Sequence, residues 1–215
     1  MLGSHDTYTY LKANNILANA VSSFWRCQTL TIDEQYKIGA RVFDVRVIHE
    51  EKDGMLWWRI GHGFAELQQR FPNLQSICLY FKEQYPGSVI RLVLEKNCTD
   101  EEAKSRFITE AEKIKKKFSS MIWCVCIKKP WTEIWRGTGL KTVKKTEDLI
   151  CHLFNWDGGQ TIAYNLKHIN NLDLSITSIK KWAQKHNPKE ITQEMIDDPT
   201  TLYIMDYLGV YPKML

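Results

Sequence analysis

No stretch of about eighteen or more apolar residues occurs in the 215-residue chain, which excludes a membrane-spanning helix. None of the six cysteines (Cys27, Cys78, Cys98, Cys124, Cys126 and Cys151) forms a CxxC pair. The ligand spacing of structural zinc sites is therefore missing, and the cysteines read as small buried hydrophobes. Cys124 and Cys126 alternate within an apolar run, so their thiols share one strand face. Repeats, low-complexity tracts and linkers are absent, so residues 1–215 read as one domain, long enough for a full core. No RNA- or DNA-binding motif is present, and the net charge of +4 is modest. Lys113, Lys115, Lys116 and Lys117, and Lys180 with Lys181, read as solvated helix faces. Nothing near Met1 combines a basic region with a long apolar core, so no signal peptide is read.

What is present is a repeated alternation of strand and helix. Arg41 to Ile48, Val89 to Leu94, Ile122 to Ile127 and Leu202 to Met205 are short, mostly apolar runs, as in a parallel sheet buried on both faces. Thr31 and Glu34 make a capping box for a helix ending near Gly39. Thr99 is the expected cap of a long helix with Asp100, Glu101 and Glu102 in its first turn and lysines in its last. Its apolar stripe is Ala103, Phe107, Ala111, Ile114 and Phe118. Asn73 to Tyr85 and Ser175 to His186 read as further helices. Repeated strand–helix units imply an α/β fold. The least regular segment runs from Trp131 to Lys145 and is a candidate substrate-side loop.

Two histidines stand beside small residues, in Gly3-Ser4-His5-Asp6-Thr7 and in Gly61-His62-Gly63. Between them lies Arg41-Val42-Phe43-Asp44-Val45-Arg46. The set suits phosphodiester chemistry. One imidazole takes a proton from an attacking hydroxyl, the other gives one to the leaving oxygen, and a cation holds the phosphate. His5, Arg46, His62, Glu95 and Asp206 each fall at or just past the end of an expected strand.

These blocks, with Trp25-Arg26-Cys27-Gln28 and Thr31-Ile32-Asp33-Glu34-Gln35, resemble the X-type catalytic region of phosphatidylinositol-specific phospholipase C. The resemblance covers Leu2 to Gly63 in five ordered blocks. It is looser at Ser88 to Glu95 and at Tyr203 to Tyr207, and does not extend over Thr99 to Pro199. It implies a distorted (β/α)8 barrel, the site lying at the C-terminal ends of the strands. A strand normally leads into the first motif, so the first strand reads as clipped.

The resemblance also assigns roles. His5 would be the general base toward the inositol 2-hydroxyl, held by Asp206, and His62 the general acid, oriented by Asp6. Arg46 would bind a non-bridging phosphate oxygen, and Asp44 would support it. Glu95 and Tyr207 would join Arg46 in binding substrate. The calcium-dependent branch of the family carries a carboxylate where Arg46 stands, so no metal is expected and Ca²⁺ is disfavoured. Glu95 disagrees, because it stands where that branch has a further calcium ligand; Asp6, Asp44 and Glu95 together would suit a hard cation. The expected partner is phosphatidylinositol or a glycan-anchored form of it at a membrane surface, the protein being monomeric and secreted or peripheral. Of the eight tryptophans, Trp25 reads as structural. Trp57-Trp58 is read in a loop opposite the site, and Trp131, Trp135 and Trp156 in irregular segments. The competing readings are a glycerophosphodiester phosphodiesterase, whose His-Arg-Gly start and Glu-x-Asp pair are missing, and an inactive head-group-binding module.

Overall fold

The computed structural model describes residues 1–95, 100–118, 120–127, 140–143, 150–154, 161–165, 179–197 and 201–210. Cys98, Thr99, Trp131, Trp135, Trp156, Ser175 and the loop expected from Trp131 to Lys145, apart from residues 140–143, lie outside them. So do the side chains of Cys124, Cys126 and Cys151.

Strand β1 (Leu2–Ser4) is short and lies between two parallel neighbours, β2 (Ala40–Lys52) and β10 (Thr201–Met205). The parallel run continues through β5 (Val89–Leu94) and β6 (Ile122–Ile127) on one side and β9 (Thr161–Asn165) on the other. Antiparallel strands β7 (Leu140–Val143) and β8 (Ile150–Phe154) extend the two ends, giving the order β7-β9-β10-β1-β2-β5-β6-β8. This is an α/β fold, a distorted barrel whose end strands β7 and β8 share no pairing among the described residues.

The parallel crossovers carry helices, as a buried parallel sheet requires. They are α1 (Ile16–Ala20) and α2 (Ile32–Lys37), α3 (Leu74–Gln84), α4 (Glu101–Lys117), and α5 (Ile179–His186) with α6 (Gln193–Asp197). The Thr31–Glu34 capping box forms at α2, and Gly39 follows it with φ of 99°, a left-handed position that suits glycine. Asn73 caps α3. Asp100, rather than the expected Thr99, caps α4, accepting from the Glu102 and Ala103 N–H groups. Helix α4 buries Ala103, Phe107, Ala111 and Ile114, the spacing its sequence implies. No helix among the described residues is long and apolar enough to cross a membrane.

One expectation is corrected. Strand β2 does not stop near Ile48 but runs to Lys52, turns at Asp53-Gly54 (φ 55° and 71°), and returns as β3 (Met55–His62). Both turn residues take positive φ, the geometry of a tight Asp-Gly hairpin. Strand β4 (Ala65–Phe71) completes the meander. Trp57 and Trp58 are therefore in a strand, not a loop. Trp58 is fully buried, with its ring edge on to Phe107 and its Nε1–H donating to Glu110 at 2.9 Å.

Candidate active site

Alternation along β2 separates two chemistries. Phe43 packs against Phe81 of α3, with Val45 and Val47 also in the core, while Asp44 and Arg46 turn into the barrel. The parallel pairing of β2 with β5 ends at Val47↔Leu94, so Arg46 lies at the barrel mouth although its strand runs on. The hairpin then brings His62 back to that mouth. At the adjoining ends of β1 and β10, Ser4 is level with Met205, which sets the next residues, His5 and Asp206, side by side.

Their side chains meet: His5 Nδ1 lies 2.7 Å from Asp206 Oδ1. A carboxylate accepts only from a protonated nitrogen, so Nδ1 carries the proton and Nε2 keeps its lone pair. His62 is fixed in the same way, its Nδ1 lying 2.7 Å from the Trp25 carbonyl. Asp6 Oδ2 stands between the two Nε2 atoms, 3.4 Å from that of His5 and 3.3 Å from that of His62.

The Arg46 guanidinium lies amid three carboxylates. It pairs with Asp6, with Asp44 through Nε at 3.1 Å and with Glu95 through Nη1 at 3.1 Å; Nη2 touches His5 Nε2. The three carboxylates thus surround a guanidinium rather than an open cation site. Asp44 also accepts from Arg91 Nη1 at 2.9 Å and from the Asp6 N–H at 3.2 Å. Glu95 accepts from the Gly63 N–H at 2.9 Å and so ties the turn after His62 to Arg46.

The charges settle unequally. Burial raises the Asp44 carboxyl, but Arg91, Arg46 and the Asp6 N–H outweigh it and hold it below the usual range. Burial dominates at Asp6, which stays raised despite Arg46 and His62. Burial lowers Arg46, yet Asp6, Asp44 and Glu95 more than reverse this and keep it firmly charged.

The remaining sequence blocks serve as scaffolding. Gln28 donates to the carbonyls of His5 (3.0 Å) and Met205 (2.8 Å) and accepts from the Leu208 N–H, so it clamps β1 to β10 below the site. Gln35 donates to the Thr7 carbonyl, and Trp25, buried, donates to the Ala18 carbonyl. Asp6 and Tyr207, the residues just beyond His5 and Asp206, both take positive φ (46° and 51°). Such strain costs on the order of 1–3 kcal/mol each and persists only where the surroundings over-determine it. Here Thr9 donates to the Asp6 carbonyl, and the Tyr207 N–H donates to the Cys27 carbonyl.

No family model matches the chain, and no curated protein matches it in sequence. Solved structures do match. A Staphylococcus aureus phosphatidylinositol-specific phospholipase C superposes with a TM-score of 0.54 at 15% identity, covering 97% of this chain and 86% of that one. The Listeria monocytogenes enzyme gives 0.53 at 16% identity, covering 96% and 87%. The fold is that of bacterial phosphatidylinositol-specific phospholipase C.

On this phospholipase C fold, His5, Asp6, Asp44, Arg46, His62, Glu95 and Asp206 all converge at one mouth. Tyr207, 3% exposed, packs with Cys27, Ile179 and Ala183. The sequence reading missed Arg91 and Cys27. Arg91 is a charged residue inside an apolar strand, a signal that calls for a buried partner. Cys27 looked like filler, yet its Sγ lies 3.4 Å from Asp6 Oδ2 and 4.0 Å from His62 Nδ1. Its place follows from the neighbouring block, since Thr9 Oγ1 accepts from the N–H groups of both Cys27 and Gln28.

Proposed function

We propose that the protein is a phosphodiesterase that cleaves phosphatidylinositol-type lipids by paired imidazole catalysis, with Arg46 in place of a metal ion. The observation that carries this reading is the commitment of Nδ1 on both histidines, which leaves two Nε2 atoms about one Asp6 oxygen and a guanidinium beside them. His5 Nε2 takes the proton of the inositol 2-hydroxyl as that oxygen attacks phosphorus. Asp206 stabilises the imidazolium that forms. His62 enters as the imidazolium, its Nδ1–H kept on the Trp25 carbonyl and its Nε2–H beside Asp6, and gives the Nε2 proton to the departing diacylglycerol oxygen. The P–O bond to diacylglycerol breaks as the ring bond forms, so the products are diacylglycerol and a cyclic inositol phosphate. Arg46 meets the charge that develops on the non-bridging oxygens. In the absence of substrate Arg46 donates to the lone pair the base needs, so phosphate binding must draw the guanidinium off His5.

Lipid must reach this mouth from a surface. Ile16, Leu17 and Phe64 are 86%, 81% and 51% exposed. They share one rim, because the Ala13↔Leu67 bridge and the bond from the Asn14 N–H to the Glu66 carbonyl join the chain before α1 to β4, just beyond Phe64. Exposed large apolar side chains beside a site mark a contact with an apolar phase.

The test is product analysis on phosphatidylinositol vesicles, with and without EDTA. Diacylglycerol and cyclic inositol phosphate are expected in both arms. His5→Ala and His62→Ala should each lose about 10²–10⁴-fold in rate with the fold retained. Loss of activity in EDTA with recovery on adding calcium would refute the role given to Arg46, and near wild-type turnover in either histidine variant would refute the mechanism.

A further inference from the structure

We propose that the site is also a binding site for a borderline-soft divalent cation of the zinc class, held by His5 Nε2, an Asp6 carboxylate oxygen and the Cys27 thiolate, and that this ion shuts the enzyme off. Donor atoms of these three buried residues lie within 4.8 Å of one another. The two separations from Asp6 fit the ion. Ligands at the usual zinc distances lie about 3.3–3.8 Å apart along the edges of a tetrahedron. Asp6 Oδ2 is 3.4 Å from His5 Nε2 and 3.4 Å from Cys27 Sγ. His62 Nε2, 3.3 Å from the same oxygen, flanks the fourth position.

The surroundings are prepared as well. A ligating histidine ordinarily donates its other N–H to a carboxylate or carbonyl, which fixes the ring and raises its basicity. His5 does this to Asp206 and His62 to the Trp25 carbonyl. Charge also favours an ion. Asp6, Asp44, Glu95 and Asp206 face two guanidiniums, Arg46 and Arg91, so two negative charges are left over while the imidazoles are neutral. A divalent ion offsets both, and only the charge of the Cys27 thiolate itself is then left over. It would take Arg46's place on His5 and Asp6, leaving the guanidinium with Asp44 and Glu95.

The donors choose the metal. One sulfur, one nitrogen and one carboxylate oxygen suit zinc or cobalt; calcium and magnesium need six or more oxygens or retained waters. Asp6, Asp206, Arg46, His62 and Tyr207 face the thiol, and burial, then Asp206 and Asp6, hold it protonated. A thiol ligates as the thiolate, so binding releases its proton to solvent. Inhibition follows directly, because the ion occupies the lone pair of the base and removes Asp6 from His62.

The probe is Co²⁺ added to the intact protein, read by its thiolate-to-cobalt charge-transfer band in the near ultraviolet. The band should appear in the wild type, persist in Cys78→Ser, which removes the other buried free thiol among the described residues, and vanish in Cys27→Ser. Zn²⁺ should displace the cobalt and suppress turnover, with EDTA restoring both. Mg²⁺ and Ca²⁺ should do neither. In Cys27→Ser the half-inhibiting Zn²⁺ concentration should rise at least about tenfold, as losing a ligand costs no less than losing an outer-shell partner. Absence of the band in the wild type, its survival in Cys27→Ser, or equal zinc inhibition of both proteins would overturn the proposal. If the serine variant does not fold, the wild-type spectrum and its displacement by Zn²⁺ still decide. The spectrum needs no substrate, so failure here and failure of the phospholipase reading are separate results.

Discussion

Replacing Arg46 with methionine keeps much of the apolar bulk and removes the cation from the middle of the site. Its three partners, Asp6, Asp44 and Glu95, have side chains at 1% exposure or less. Arg91 still reaches Asp44 in the variant, and Gly63 still donates to Glu95, but Asp6 loses its strongest stabilising neighbour. Stranding a buried charge costs about 3–5 kcal/mol, against a total stability of about 5–15 kcal/mol for a typical protein. The variant should therefore fold, with little margin. The sign of the pH dependence follows from Asp6. Its folded pKa is already raised by burial, and Arg46 is the main influence lowering it. Without Arg46 it rises further. A group with a raised folded pKa contributes stability that is present below the unfolded value, near 3.9, and lost as pH climbs through the folded one. The variant's deficit should widen as pH rises through the wild-type Asp6 pKa, which already lies above the usual carboxylate value, and level off above the variant's own. Urea denaturation across that range measures it. A deficit that is constant with pH, or absent at neutral pH, would show that Arg46 does not hold these carboxylates ionised. In the same variant, turnover should fall about 10²–10³-fold, the usual loss for one charge-stabilising donor.

Asp206→Asn should keep the fold but lose about 10⁴-fold in turnover, because the amide favours the wrong His5 tautomer; pre-steady-state kinetics on a soluble substrate would show the loss in the chemical step. Arg91→Met should weaken turnover by freeing Asp44, and Arg91→Lys should recover part of it while shifting the pH profile, which a purely structural defect would not do. The double variant Ile16→Ser/Leu17→Ser should lose activity on vesicles but not on a soluble phosphodiester, as read by sedimentation and by assay. Arg46→Asp with added calcium should recover part of the activity lost on removing Arg46, since Asp6, Asp44, Glu95 and the new carboxylate would then suit a hard cation.

Much of the site was legible because its residues sit in short, ordered blocks whose spacing survives without the fold: His5 and Asp6, Asp44 and Arg46, His62. Asp206 was legible only through the barrel, since closing the ring is what sets β10 beside β1. The meander was not read, although Asp53-Gly54 between two hydrophobic runs is the strongest short-range hairpin signal a sequence offers. Its strands mix Glu50, Glu51, Trp57, Trp58 and Arg59, and the apparent end of the apolar run at Ile48 hid the continuation. Arg91 showed that it needs a buried partner but not which one, and Cys27 showed nothing. Their partners lie far off in the sequence, so nothing local distinguishes a thiol beside Asp6 from one in a core. Tyr207 takes a left-handed backbone and packs in a cluster with Cys27, Ile179 and Ala183.

The Gln28 clamp has a consequence for timing. The base and its carboxylate are 201 residues apart in the chain, and one side chain ties the ends of the two strands that carry them. Contacts of such separation form late, after the entropy of closing a long loop has been overcome. A folding chain would thus assemble its guanidinium and its second histidine before it has a working base. Loosening of the five-residue strand β10 would disarm it again well short of global unfolding. Activity would then report on the docking of β10 alone, and would fade on warming before the helices α3 and α4 melt.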